Sequence, residues 1–482
     1  MLRAMASSAL FAREDPPPRI MGIEAEHDIR TPDGKYPQDW AEDILSLQTL
    51  EAAGFQNTYL DNPNADLKVP YPTEAWLPNG ARMYQDGDNL EWCTPESLGA
   101  SSAVAALWAS AIAVRELVKA AQEDYRVDLR PANINPKNGH MLTKGLHTNL
   151  AIPDLHHTAR TLGDIEMLWA TQIYAWGGAV VKDGFSISPK GLHMGQSILI
   201  NSKDDAATVR GKPFGRVTSD HGKKDSFSNT YRLEGRTSTP SSPYSTWMGL
   251  NTTSLLLRIK EHPRLLAKEN ERLMQLRLGP SRSVARLIER VVQDFDMQET
   301  YTLLGGQEYR AIDIQRSMAE LSVIACEKLQ LPQEEQDAAA EWVQVCDDLD
   351  TVRRGDAGLG LIGRIGWAAK YQHLINKVGK QEIWETDIQK KIGALRVCSA
   401  WDAIAPTVGH GWRQLSTQEK WVSRQAVKNL VYNPPQDTRA LVRAECLRAG
   451  DVTGLSWHQI DRSGQPPLVL DPDQTTIEHS SF

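Results

Sequence analysis

Apolar residues first settle into a helical period between 102 and 122, where Val104, Leu107, Trp108, Ala111, Val114 and Leu117 fall three and four apart. Such a stripe predicts a helix whose apolar face covers a sheet, with Ser101 or Ser102 placed to cap its start. A second helix, rich in leucine, is predicted over 248–261 and broken at His262-Pro263. From 281 to 400 the text is helical and charged, with helices expected over 284–295, 312–329, 334–349 and 367–378. Trp342 and Trp367 in that block read as core. Strands are expected near 56–61, 139–152 and 195–201. His156-His157 reads as a polar loop, because adjacent side chains point apart and make a poor pair of metal ligands.

Three further strand-like segments carry acids and arginines where a buried strand would carry apolar side chains. The first is Arg19-Ile-Met-Gly-Ile-Glu24-Ala-Glu26, in which alternation puts Glu24 and Glu26 on one face. The second is a hairpin, Arg82-Met-Tyr84-Gln-Asp86-Gly-Asp-Asn-Leu-Glu91-Trp-Cys-Thr94, with Arg82, Tyr84 and Asp86 sharing a face. The third, Arg232-Leu-Glu234-Gly-Arg236, repeats the alternation. Acidic oxygens gathered in this way suit Mg²⁺ on a nucleotide phosphate, and arginines offer phosphate a planar fork. Solvated edges that use charge against aggregation are the competing account of each segment alone. Three in one chain favour a functional lining.

Composition narrows the class. The formal net charge of −8 counts against a dedicated nucleic-acid binder. No run is read as approaching the roughly 18 apolar residues of a membrane span. The five cysteines lack metal-ligand spacing, and their odd number argues against a disulfide framework, so a cytoplasmic location is expected. The apolar start, with one Arg before Arg-Glu-Asp-Pro-Pro-Pro, makes a poor signal peptide. The glycine-rich loop from Arg354 has no preceding strand and no Lys-Ser/Thr, so it is not a phosphate loop.

The first two charged segments resemble the Pup ligase and Pup deamidase (depupylase) family, which opens with Gly-Ile-Glu-x-Glu and continues with Asn-Gly-Ala-Arg-x-Tyr-x-Asp and Glu-aromatic-x-Thr. The likeness recurs at Ala311-Ile-Asp313-Ile-Gln315-Arg316, at Asn433-Pro-Pro435-Gln-Asp-Thr438-Arg439-Ala and at Arg443-Ala-Glu445-Cys446, ending near Ser456-Trp457. The third segment is more similar to glutamine synthetase, the wider superfamily. The resemblance implies Mg²⁺ ligands at Glu24, Tyr84 and Glu91, with Glu26 beside them on the strand. Glu26, on the same strand face, is counted with them as a candidate metal ligand, and the resemblance implies ATP contacts at Arg82, Thr94 and Trp457 and a catalytic base at Asp86. His147 matches a histidine near a second metal, and Glu234 would be the other ligand there. Arg232, Arg236 and Arg82 are the candidates for neutralising phosphoryl charge.

Departures stand on the substrate side. The family's His-Glu-Asn-Tyr is His147-Thr-Asn149-Leu here, Glu234 stands where Pup enzymes have His, and 218–229 lacks their acidic Thr-Arg-Asp-Glu-Pro-His motif. The expected fold is α+β, a large mostly antiparallel sheet with helices on its outer face, as in glutamine synthetase. The expected division is a disordered lead-in over 1–18, a catalytic domain over 19–415 and a small C-terminal domain over 416–482, loosely ordered from Gly464. The expected activity is an ATP- and Mg²⁺-dependent carboxylate–amine ligase. A glutamate carboxylate becomes an acyl phosphate, and an amine, deprotonated by Asp86, attacks it because a free lysine amine (pKa about 10.4) is protonated at neutral pH. The carboxylate partner would be a small Pup-like modifier and the acceptor a protein lysine. Two rivals stay open: a deamidase or depupylase using water on the same machinery, and a small-molecule γ-glutamyl–amine ligase. A nucleotide-binding scaffold without catalysis is disfavoured by the retention of Asp86.

Overall fold

The computed structural model describes residues 16–31, 35, 37, 40–62, 72–121, 125–129, 132–134, 141–152, 155–196, 199–200, 212–213, 215–219, 231–237, 239, 241–279, 283–353, 356–402 and 418–470. Its centre is an eleven-stranded sheet around strand β1 (Ile20–Arg30). On one side of β1 lie Leu146–Ile152, Tyr231–Gly235, Gly215–Ser219 and Leu199–Ile200. On the other lie β5 (Asn89–Cys93), β4 (Arg82–Asp86), β3 (Glu74–Trp76) and β2 (Tyr59–Asp61). Ser97–Leu98 and Arg126–Asp128 pair with the two ends of β1. Neighbours along this path are antiparallel except Leu199–Ile200, which runs parallel to its partner.

Register decides which side chains meet. Glu24 stands opposite both Cys93 and His147, Glu26 opposite Glu91, Glu91 opposite Tyr84, and Asn149 opposite Glu234. Directly opposed residues share a face, so one face is a block of acids, arginines, Tyr84 and His147. The other face carries Ile23, Ala25, Met83, Trp92, Leu150 and Leu233, all buried, and packs on helices.

The helix Ala100–Ala120 runs under β1, and its many alanines let it lie close. It is long and apolar enough to cross a membrane, which the sequence reading did not anticipate, but 72% of that apolar window is buried inside the fold. Its cap also differs from expectation. Gly99, at φ 78°, is the N-cap, and the Glu334 carboxylate accepts hydrogen bonds from Ser101 N (2.7 Å) and Ser101 Oγ. A residue 233 positions away thus supplies what Ser101 or Ser102 was expected to supply.

Further helices, Pro243–Glu261, Ala311–Leu329, Gln333–Leu349 and Gly366–Ile383, form the outer layer. Trp342 and Trp367 are fully buried there, as expected. The island Ala311–Arg316 is core wiring. Gln315 accepts from Tyr174 Oη (2.9 Å) and Trp342 Nε1 (3.0 Å), and donates to Leu168 O (3.0 Å) and Thr171 Oγ1 (2.7 Å). Helix Pro243–Glu261 starts five residues before the expected position, because Ser242 caps it and Pro243 suits its first turn. His156-His157 lies within helix Leu155–Thr171, not a loop, since the apolar period beyond it extends back to Leu155.

The expected strand 139–152 is two strands, Met141–Thr143 and Leu146–Ile152, and 195–201 falls on two short ones, Met194–Gln196 and Leu199–Ile200. The helical block also contains an unforeseen hairpin, Thr300–Thr302 with Glu308–Arg310.

The expected boundary near 415 and the lead-in before residue 16 lie outside the described residues. Trp421, Val422, Val427, Leu430 and Val431 join the main core. A separate small core holds Val442, Cys446, Ile460 and Leu470, under helix Ala440–Ala449 and a three-stranded sheet. The stretch from Gly464 is not all loose, because Leu468–Val469 pairs with Gln459–Arg462 as the last strand of that sheet.

Candidate active site

The acids of β1 and β5 converge with one imidazole. Glu24, Glu91 and His147 each offer an atom within 4.8 Å of the others. His147 Nδ1 lies 3.2 Å from Glu24 Oε2, 3.8 Å from Glu91 Oε1 and 3.8 Å from Glu234 Oε1. Arg232 donates to Glu24 Oε1 (3.1 Å) and Glu234 Oε2 (3.3 Å), Arg236 donates to Glu234 Oε1 (2.5 Å), and Asn149 Nδ2 donates to Glu24 Oε1 (3.3 Å). Two carboxylates and an imidazole, backed by a third carboxylate, fit the donor set of a divalent cation that takes its remaining ligands from water or phosphate.

Electrostatics agree with a cation seat. Glu91 is pushed up to about 9, first by burial and then by Glu24, Glu26 and Asp86. Burial and the neighbouring acids also push the Tyr84 phenol well up. A carboxyl raised in this way exchanges its proton for a cation when one binds beside it.

The remaining expected residues occupy the margins. Glu26 is held back from the triad: its Oε2 accepts from Gly145 N at 2.9 Å. Asp86 is exposed at the tip of the β4–β5 hairpin, where Gly87 takes φ 56°. Arg82 forks onto Glu74 (2.7 and 2.6 Å) and lies over the rings of Tyr84 and Trp76. Burial alone would lower its pKa, but Glu74 outweighs burial and raises it. Thr94 is buried, and its hydroxyl accepts from Ile23 N at 2.9 Å. Trp457 meets Trp76 edge-on at 4.8 Å, with Arg443 stacked on its ring at the same distance.

Residues outside the expected set complete the picture. Glu74 holds Arg82, and Asn149 holds Glu24. Glu96 binds Arg439 (2.7 Å) and Arg443 and so ties the small C-terminal unit to the strand region beside Thr94. The alternation of Glu74-Ala-Trp76 could have flagged Glu74. Nothing local flags Lys190, a fully buried lysine that reaches the same centre from a distant turn.

The Pup-ligase protein family model matches residues 19–461. The chain belongs to that family. Among curated relatives, a Pup--protein ligase of Bifidobacterium longum (strain DJO10A) is 24% identical over 514 residues, covering 98% of this chain and 96% of its own length. The fold is that of two solved structures. One is the complex between the prokaryotic ubiquitin-like protein Pup and its ligase PafA, with TM-score 0.70 and 19% identity, covering 96% of this chain and 89% of that one. The other is PafA in complex with ADP, with TM-score 0.66 and 20% identity, covering 87% and 93%. The α+β architecture with a large antiparallel sheet is therefore the family's own.

Proposed function

We propose that this protein is an ATP-dependent carboxylate–amine ligase that joins a glutamate side chain of a small Pup-like protein to a lysine of an acceptor protein. The convergence of Glu24, Glu91 and His147 under Arg232, in a chain of the Pup-ligase family, carries the reading. The Pup and ADP complexes of its structural relatives support the partner and the nucleotide.

In this reading Glu24, Glu91 and His147 hold Mg²⁺, with Tyr84 and Glu234 flanking them. The ion supplies charge neutralisation for the nucleotide phosphates. Arg232 and Arg236, fixed by Glu24 and Glu234, hold the phosphoryl oxygens as the γ-phosphoryl group passes from ATP to the glutamate carboxylate, charge developing on the departing ADP oxygen as the acyl phosphate forms. Arg82 and Trp457 border the nucleotide, on one aromatic stack with Trp76. Thr94, positioned by the hydrogen bond that its hydroxyl accepts from Ile23 N of β1, keeps an O–H to donate to the nucleotide. Asp86 takes the proton of the attacking amine, so that a neutral amine displaces phosphate and an amide forms. The five free, buried cysteines support a reducing cytoplasm as its setting.

The test is ADP release from Mg–ATP by purified protein, with a Pup-like protein ending in Glu plus a lysine-bearing acceptor, against free glutamate with small amines. Modifier-dependent release with a covalent adduct is expected. Release with free glutamate alone would make the enzyme a metabolite ligase. Cleavage of a preformed adduct without ADP release would assign it the hydrolytic direction.

A further inference from the structure

Lys190 is only 1% exposed, a rare state for a lysine. It begins the single turn Lys190–His193, braced by hydrogen bonds from Gly191 N to Ser188 O (3.1 Å) and Ser188 Oγ (3.2 Å). That turn is pressed on helix Val284–Gln293 so closely that a β-carbon on Gly191 would come within 2.7 Å of Val292. The ammonium is delivered by rigid structure to the bare Cα of Gly145. A β-carbon there would lie 2.4 Å from Lys190 Nζ, 2.7 Å from His147 Nε2 and 3.1 Å from Glu26 Oε1. Gly145 is glycine because these three groups share the space over it.

Two of the three are ordinary metal donors, a carboxylate oxygen and an imidazole nitrogen, yet a lysine stands with them. Glu26 is correspondingly absent from the cation triad of Glu24, Glu91 and His147, its Oε2 being held by Gly145 N while its Oε1 borders the same space over Gly145 as the ammonium. His147 therefore presents Nδ1 to the acids Glu24, Glu91 and Glu234, and Nε2 to the lysine side.

We propose that Lys190 is a built-in cation of the catalytic centre, standing where Glu26 and His147 Nε2 would otherwise recruit a second divalent ion. The centre then holds one divalent ion through protein side chains, on Glu24, Glu91 and His147 Nδ1. Glu26 is a positioning residue, neutralised by a tethered ammonium. The inference rests on reading this centre as a cation site and goes beyond it by fixing the number of ions. A fixed monovalent charge here does not dissociate with falling metal concentration.

The experiment counts Mn²⁺ bound to the full-length chain without nucleotide, by titration calorimetry and by electron paramagnetic resonance. Wild type should bind one ion with an uncoupled spectrum. Lys190→Met, which keeps side-chain volume and removes the charge, should bind two, with the broadening of a coupled pair, and Lys190→Arg should return to one. Lys190→Ala serves if the Met variant melts early. Two ions on wild type, or one on a folded Lys190→Met, overturns the proposal and leaves the ligase reading intact. No ion on wild type overturns the cation reading of the centre and this inference with it.

Discussion

Asp86 and Glu24 lie on one face of one sheet but should fail in different ways. Asp86 is exposed at a hairpin tip, whereas Glu24 is gripped by His147, Arg232 and Asn149. Asp86→Asn is expected to leave Mg–ATP affinity within about threefold of wild type and to lower turnover by at least ~100-fold, the scale of general-base catalysis. Full activity in that variant would remove Asp86 as the base. Glu24→Ala should instead weaken Mg²⁺ and Mg–ATP binding by about tenfold or more in calorimetry, and unchanged affinity would take Glu24 out of the metal site. At this scale much was legible in the sequence. Period-two alternation places Glu24 with Glu26, and Arg232 with Glu234, on one face before any pairing is known. Pairing itself was not legible, because the Glu24–His147 and Glu26–Glu91 matches depend on register between segments far apart in the chain. Lys190 was invisible for the same reason, since it reaches the site only through the packing of a distant turn.

Between elements, the contact of the small C-terminal unit with the sheet rests on Glu96. Burial would raise its pKa, but Arg443 and Arg439 outweigh burial and hold it at about 2. A carboxylate depressed on folding contributes stability that is complete above its unfolded pKa and lost as pH falls through its folded pKa. Glu96 should therefore contribute on the order of 3 kcal/mol above about pH 4.5, fading between there and pH 2. Melting curves of Glu96→Gln should lie below wild type at neutral pH and converge on it as pH approaches 2. A constant gap across that range would assign the loss to packing. The same contact explains Gly80, which has φ 81° and would put a β-carbon 2.9 Å from Ala440 Cβ. Gly80→Ala should lower stability by about 1–3 kcal/mol, read by chemical denaturation, through both strain and collision. The Arg439 and Arg443 islands stood out in the sequence by resemblance. Their partner did not, because Glu96 sits 343 and 347 residues away from them.

Across the whole molecule, the outer helices are joined to the sheet's support by side-chain networks as well as by apolar contact. Gln315 satisfies Tyr174, Trp342, Leu168 and Thr171 together. Gln315→Leu leaves a buried hydroxyl and a buried indole N–H without their acceptor, and should cost about 2–4 kcal/mol. A drop in melting temperature with unchanged Mg–ATP affinity is the expected outcome, and lost affinity at intact stability would place Gln315 in the site instead. Helical periodicity made this layer readable, down to the burial of Trp342 and Trp367. The start of Ala100–Ala120 was misjudged because its capping acid, Glu334, comes from the helical layer and no local window contains it.

The placement of Asp86 has a consequence for what the enzyme can accept. The cation triad sits mid-strand and largely buried, while Asp86 stands exposed on a narrow hairpin. A lysine carried by a folded protein cannot follow a deep channel, because the bulk around it stops at the entrance. A proton acceptor held out at the rim eases that size limit by meeting the amine before the bulk behind it reaches the sheet. Under the proposed roles, the nucleotide phosphates and the modifier's glutamate reach inward to the triad, and an acceptor is served if one lysine protrudes far enough to meet the acyl phosphate within reach of Asp86.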